Sequence, residues 1–201
     1  MNIELLYWDV DTQVDFMDQD GNLPVPGAER IRSNLERLTR HAADNDVPLL
    51  STADTHVEDD PEFEQFPPHC IGGTPGHRKI PTTRLDGSEV LQSTKLESQA
   101  ETLASGEVPQ LILEKHQLDP FDEELAGRLL EQLQPAKVMV YGVATEFCVR
   151  LSVLGLLERG YRVEVVEDAI KGIEDEDARA AKEEMRGKGA TFVSTDKATG
   201  E

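Results

Sequence analysis

Lys137-Val138-Met139-Val140-Tyr141-Gly142-Val143-Ala144-Thr145-Glu146-Phe147-Cys148-Val149 is the stretch that decides the fold. Residues 137–141 read as an apolar strand, and Phe147, Leu151, Val153, Leu154, Leu156 and Leu157 as the apolar face of a helix that ends near Gly160. A strand that turns at once into a helix is half of a parallel crossover unit. Cys148 falls in the first helical turn, where unpaired N–H groups and the positive end of the helix dipole favour a thiolate and offer donors to an oxyanion. A buried structural cysteine fits the same position, because free cysteine is among the most buried residue types. The choice depends on what else the chain delivers to that place.

Further apolar runs lie at Ile3-Glu4-Leu5-Leu6-Tyr7-Trp8, Val47-Pro48-Leu49-Leu50, Leu111-Ile112-Leu113, Tyr161-Arg162-Val163-Glu164-Val165-Val166 and Thr191-Phe192-Val193. They alternate with helical patterns over residues 28–41, 122–134, 146–159 and 174–186. That alternation predicts an α/β fold, a doubly wound and mostly parallel sheet of about six strands with helices on both faces. Its 201 residues are enough for one sizeable core, so one domain spanning residues 1–201 is expected. Residues 54–106 show no clear rhythm and are too long for a simple connection; they are expected to carry a functional loop and a small excursion over the site.

The chain has 40 acidic and 20 basic residues, for a formal net charge of -20. Such a surface repels nucleic acid and anionic membranes, which excludes both as partners. The carboxylates are scattered, with clusters only at Glu58-Asp59-Asp60 and Glu174-Asp175-Glu176-Asp177, so they predict solubility or adaptation to high salt and not an interaction face. No secretory leader or long apolar run is evident, and a cytoplasmic location is expected. Two cysteines, Cys70 and Cys148, provide no disulfide framework. Cys70 reads as a small buried hydrophobe.

A catalytic thiol needs a proton acceptor and a cation. The first strand runs into Asp9-Val10-Asp11-Thr12-Gln13-Val14-Asp15-Phe16, and Leu111-Ile112-Leu113 runs into Glu114-Lys115-His116-Gln117-Leu118-Asp119. Parallel strands share one carboxyl edge, so Asp11, Lys115 and Cys148 can converge there although they are far apart in sequence. Read singly, each charge is equally a solvated loop residue, and His116 reads as one. A second constellation is Asp54-Thr55-His56, then Glu62, then Phe66-Pro67-Pro68-His69-Cys70. Carboxylate and imidazole donors of this kind suit Zn, Fe or Mn, and they also occur in acidic loops that bind nothing.

Three of these motifs in this order resemble the cysteine hydrolases of the isochorismatase-like superfamily, and within it the nicotinamidases. Val10-Asp11-Thr12-Gln13-Val14-Asp15-Phe16 is similar to their aspartate motif, Lys115 to their lysine, and Gly142-Val143-Ala144-Thr145-Glu146-Phe147-Cys148-Val149 to their nucleophile motif. The resemblance implies a catalytic set of Asp11, Lys115 and Cys148, an oxyanion site on the N–H groups of Ala144 and Cys148, and a cis peptide between Val143 and Ala144. It implies one divalent transition metal, zinc foremost with iron or manganese as alternatives, held by Asp54, His56 and His69. Glu62 falls where some members supply a fourth ligand, with Glu64 as its competitor.

Phe16 and Phe66 are implied as pocket aromatics, although nicotinamidases usually carry tryptophan at the latter place. The implied reaction turns nicotinamide into nicotinic acid and ammonia through a thioester, in a homo-oligomer, a dimer or a tetramer. Isochorismatases proper lack the cysteine. Two rival readings remain open on the sequence, a metal-free cysteine hydrolase of another small amide or ureide, and a non-catalytic binding protein of the same fold.

Overall fold

The computed structural model describes residues 1–201, in a sheet of seven strands that are all parallel. The strands are β1 Leu6–Val10, β2 Leu49–Asp54, β3 Glu89–Val90, β4 Gln110–Lys115, β5 Val138–Val143, β6 Val163–Lys171 and β7 Thr191–Val193, in the order β3-β4-β2-β1-β5-β6-β7. Six of them are the apolar runs of the sequence. The seventh, β3, pairs with β4 at the sheet edge through two exposed residues, too short and too polar to leave a periodic signal.

The helices are α1 Val14–Met17, α2 Arg32–Asp44, α3 Leu96–Ala104, α4 Glu124–Leu133, α5 Arg150–Glu158, α6 Asp175–Gly187 and α7 Thr195–Thr199. Helices α2 and α7 pack together on one face; α3 against α4, and α5 against α6, cover the other. Tyr7 and Trp8 show the alternation. The Tyr7 ring stacks on His41 of α2 and its hydroxyl donates to the Ala198 carbonyl of α7 at 2.9 Å, whereas Trp8 meets Phe121 on the opposite face. Helix α4 buries Ala126, Leu129, Leu130 and Leu133, a three-four spacing that turns one stripe to the sheet. Replacing one such leucine by alanine costs about 2–5 kcal/mol. The acidic run at 174–177 has a local reason, since Asp175, Glu176 and Asp177 form the first turn of α6 and face the positive end of its dipole.

The segment without rhythm, residues 54–106, contains four short 3₁₀ and strand elements and one real helix, α3. Gln99 is buried in α3, where its side chain bonds Gln92, Glu89 and Val90, and a polar residue on the inner face is what hides the helical period. The helix expected over residues 146–159 begins differently too. Thr145–Val149 is a π-helical turn with Phe147 at non-helical angles, and regular α-helix starts only at Arg150. The Val143–Ala144 peptide bond is cis. No helix is long and apolar enough to cross a membrane.

Gly142 fixes how β5 meets β1. Its φ is +119°, and a Cβ there would lie 2.1 Å from the Val10 carbonyl oxygen. Gly142→Ala therefore meets both an unfavourable backbone region and rigid main chain, and the expected loss is about 2 kcal/mol or more. Chemical denaturation checks it, and a midpoint equal to that of the parent protein would show that β1 and β5 are free to separate here.

Forty carboxylates against twenty cations make the surface self-repelling at low salt. Because the Debye length falls to about 3 Å at molar salt, added potassium chloride is expected to raise the melting temperature. A flat or falling trend contradicts this reading of the acidic surface.

Candidate active site

The strand order reverses beside β1: the chain winds outward through β2 and then crosses from β4 to β5 on the other side. Ligand sites of open α/β sheets form at such a switch point, beyond the carboxyl ends of the strands. Asp11 follows β1, Asp54 ends β2, Lys115 ends β4 in direct register with Asp54, and Cys148 follows β5. All four are buried.

Lys115 is the hub. Its Nζ lies 2.9 Å from Asp54 Oδ1, 3.0 Å from Asp11 Oδ2 and 3.5 Å from Cys148 Sγ, and it donates to the Gln117 carbonyl at 3.2 Å. Asp11 has a positive φ of 46° and accepts a 2.6 Å hydrogen bond from Thr52 Oγ1 on Oδ1. The contact of Oδ2 with Lys115 is off the hydrogen-bonding direction, so Oδ2 carries no hydrogen bond and is open to take a proton.

Burial alone would lower the Lys115 pKa, but Asp11, Cys148 and Asp54 outweigh it and hold the ammonium charged well above its ordinary range. Burial pushes the Cys148 thiol well up; Lys115 opposes this, while Asp11 and Asp54 add to it. Burial and the two carboxylates thus favour the thiol form. This differs from the expectation that a helix start favours thiolate, because Cys148 lies in a closed π turn only 5% exposed and faces two carboxylates. A partner must remove its proton, and Asp11 is beside it.

The second constellation closes into one cluster. One donor atom from each of Asp54, His56, Glu62 and His69 lies within 4.8 Å of the others. Asp54 Oδ2 is 2.9 Å from His56 Nε2 and 3.3 Å from His69 Nε2, and Glu62 Oε1 is 3.8 Å from the latter. Each imidazole is oriented through its other nitrogen, His56 Nδ1 at 3.0 Å from Asp60 Oδ2 and His69 Nδ1 at 2.8 Å from the Pro67 carbonyl. Both Nε2 atoms are thereby aimed at the shared centre, the arrangement that outer partners impose on metal-binding histidines. Two imidazoles and two carboxylates fit a divalent transition metal. Glu64 is not in the cluster, whereas Glu62 is. Burial would lower the Asp54 carboxyl's affinity for charge, but Lys115 and the two imidazoles hold it ionised, well below the usual carboxylate range. Burial likewise opposes a charge on His56, yet Asp54 and Asp60 raise its pKa to about 9.

A narrow, partly open pocket joins the two groups. Asp54, Glu62 and His69 supply its polar wall, and the other ten of its thirteen lining residues, Cys148 among them, are hydrophobic. Phe16 and Phe66 both line it, the Phe16 ring 5.3 Å from that of His69 and the Phe66 ring 5.9 Å, edge on, from that of Phe147. Sequence reasoning missed Leu23, Val25, Leu118, Phe147 and Ile173 in this lining. Phe147 was findable from its place beside Cys148; the others come from loops that carry no pattern. His116 is exposed, its Nδ1 2.7 Å from the Thr55 carbonyl, and takes no part. Cys70 is fully buried, and burial raises its thiol far above the ordinary range.

A buried thiol, carboxylate and lysine beyond the switch point of a parallel α/β sheet, beside a mostly apolar pocket, suit nucleophilic chemistry on a small molecule. The chain belongs to the isochorismatase family, whose isochorismatase domain matches residues 9–197. It is 28% identical over 186 residues to the nicotinamidase/pyrazinamidase of Mycobacterium tuberculosis, an alignment covering 88% of this chain and 91% of that protein. The crystal structure of the pyrazinamidase of Pyrococcus horikoshii in complex with zinc has a TM-score of 0.77 at 29% identity, covering 95% of this chain and 99% of that one. The pyrazinamidase/nicotinamidase of Streptococcus mutans has a TM-score of 0.76 at 26% identity over 94% of this chain and all of its own.

Proposed function

We propose that this chain is a metal-dependent nicotinamidase that hydrolyses nicotinamide to nicotinic acid and ammonia through a thioester on Cys148. The observation that carries the reading is the single pocket lined both by Cys148, which contacts Lys115, and by Asp54, Glu62 and His69 of the four-residue donor cluster, together with the rings of Phe16, Phe66 and Phe147. Its nicotinamidase and pyrazinamidase relatives, one in complex with zinc, support the same substrate class.

Asp11 Oδ2 takes the thiol proton as Cys148 Sγ forms a bond to the carboxamide carbon. The N–H groups of Ala144 and Cys148 receive the oxyanion; that of Ala144 makes no hydrogen bond within the protein. Asp11 then gives its proton to the leaving nitrogen, the C–N bond breaks, and ammonia departs. In the second half Asp11 removes a proton from water as it attacks the thioester carbon; the C–S bond breaks and the proton returns to sulfur. Lys115 stays charged throughout and stabilises both the thiolate and the ionised Asp11. Phe16 and Phe66 hold the pyridine ring between apolar faces. A divalent metal on Asp54, His56, Glu62 and His69, zinc foremost, supplies when bound a Lewis acid that orients the ring nitrogen.

Ammonia release from a panel of nicotinamide, a linear aliphatic amide and a ureide tests the reading, in zinc-loaded and chelator-treated protein. Nicotinamide is expected to be the preferred substrate, with turnover lost on chelation and restored by zinc. Turnover indifferent to chelation, on a different amide, replaces it with the metal-free cysteine hydrolase.

Metal uptake should also depend on pH in a defined direction. The carboxylates raise His56 above the ordinary histidine value, to about 9, so at neutral pH a proton must leave before its lone pair can bind. Zinc affinity is expected to rise with pH up to about 9, with protons released on binding. His56→Ala removes both a donor and that proton, and should weaken zinc binding and flatten its pH dependence. Calorimetric zinc titration in buffers of different ionisation heat checks both; affinity independent of pH contradicts the assignment of His56.

A further inference from the structure

The turn after Asp11 contains two buried polar side chains, Gln13 and Asp15, that no step above uses. The geometry points to a role for them as positioning residues of the metal cluster, which rests on the proposed metal reading. Gln13 grips Asp54 by its main chain: its Oε1 accepts from the Asp54 N–H at 2.7 Å and its Nε2 donates to the Asp54 carbonyl at 2.8 Å. The same Nε2 donates to the His77 carbonyl at 2.8 Å. One amide thus fixes the residue that bridges Lys115 and the two imidazoles.

Asp15 holds the other end. Its Oδ2 accepts from the N–H of Cys70, the residue after His69, at 2.7 Å, and its Oδ1 accepts from the Asn22 N–H at 3.0 Å. The Cys70 carbonyl in turn accepts from the His56 N–H at 3.1 Å, so Asp15 is tied through Cys70 to the isolated bridge that pairs His56 with Ile71. The approach is close: a Cβ on Gly76 would lie 2.1 Å from Asp15 Oδ2. Main-chain bonds from Val14 N–H to the Arg78 carbonyl at 2.8 Å and from Asp15 N–H to the Gly76 carbonyl at 3.1 Å lay the loop after His69 along the same turn. The buried Lys79–Asp9 ion pair at 2.8 Å pins its far end to β1. The segment that begins with the proton acceptor Asp11 is therefore also the template on which the metal donors are spaced.

Outer groups that orient metal ligands typically change affinity by about 10- to 100-fold when removed, and that range is expected here. Zinc affinity of the demetallated full chain is measured by competition with a chromophoric chelator for wild type, Gln13→Leu, Gln13→Glu and Asp15→Asn. Gln13→Leu, which removes all three bonds, and Asp15→Asn, which leaves one N–H facing an amide NH₂, should each weaken zinc binding by about 10- to 100-fold. Gln13→Glu keeps the acceptor for the Asp54 N–H but turns an oxygen toward the Asp54 and His77 carbonyls in place of the donor, and should weaken zinc binding at least as much as Gln13→Leu. It also serves if the leucine variant does not fold. Melting of the zinc-free proteins separates positioning from collapse, because a merely structural role would lower the melting temperature and leave the affinity of the folded fraction unchanged. Variants that fold and bind zinc as tightly as wild type overturn the positioning role alone, whereas a wild type that binds no zinc overturns the metal reading with it.

Discussion

Cys148→Ala is expected to lose amide hydrolysis by on the order of 10⁴-fold or more while the fold survives. The side chain is small and buried, its Sγ contacts Lys115 at 3.5 Å, and alanine removes one atom from a site whose backbone is held by the π turn and by β5. The stability cost should be modest, since Lys115 keeps two carboxylates at 3.0 and 2.9 Å as partners. Turnover in the purified variant, measured as ammonia released, decides it. Activity within about tenfold of wild type would remove the thioester mechanism and leave the cysteine as packing.

The second large effect is the failure of Asp11→Asn and Lys115→Met to add. Lys115 joins Asp11 and Cys148 in one contact set, so losing either charged group disables the same proton transfer. Each single variant is expected to fall by on the order of 10³-fold or more, and the double variant to be scarcely worse than either. Multiplicative losses would show independent roles. Lys115→Met should also destabilise the fold by about 3–5 kcal/mol, because it leaves the buried Asp11 and Asp54 without their cation. Adding Asp11→Asn removes one of the two stranded carboxylates and is expected to recover part of that loss.

Much of this architecture was legible in the amino-acid order because the relevant signals are local. Val138, Met139 and Val140 are apolar without a break, as a strand buried on both faces requires, and Ala126, Leu129, Leu130 and Leu133 mark one face of α4. Once the strands are parallel, residues at their ends share an edge, which is why Asp11, Lys115 and Cys148 could be grouped before their distances were known. What stayed hidden depends on contacts between segments. Edge strand β3 is two residues long and exposed; α3 carries Gln99 on its inner face; the π turn at Thr145–Val149 is a backbone detail with no compositional mark. The balance between thiol and thiolate at Cys148 is hidden for the same reason. Its position at a helix start is visible in the sequence, whereas its burial beside Asp11 and Asp54 is a property of the assembled edge. Gln13 and Asp15 were visible as motif residues, yet only the fold shows that they grip Asp54 and Cys70.

The most direct test of the central claim is mass spectrometry of zinc-loaded protein quenched with acid during turnover of nicotinamide. The account predicts a fraction of the chain heavier by one nicotinoyl group, located on the peptide that contains Cys148 and discharged by hydroxylamine. Rapid release of ammonia with no adduct on Cys148 at any quench time, together with undiminished turnover in Cys148→Ala, would contradict it.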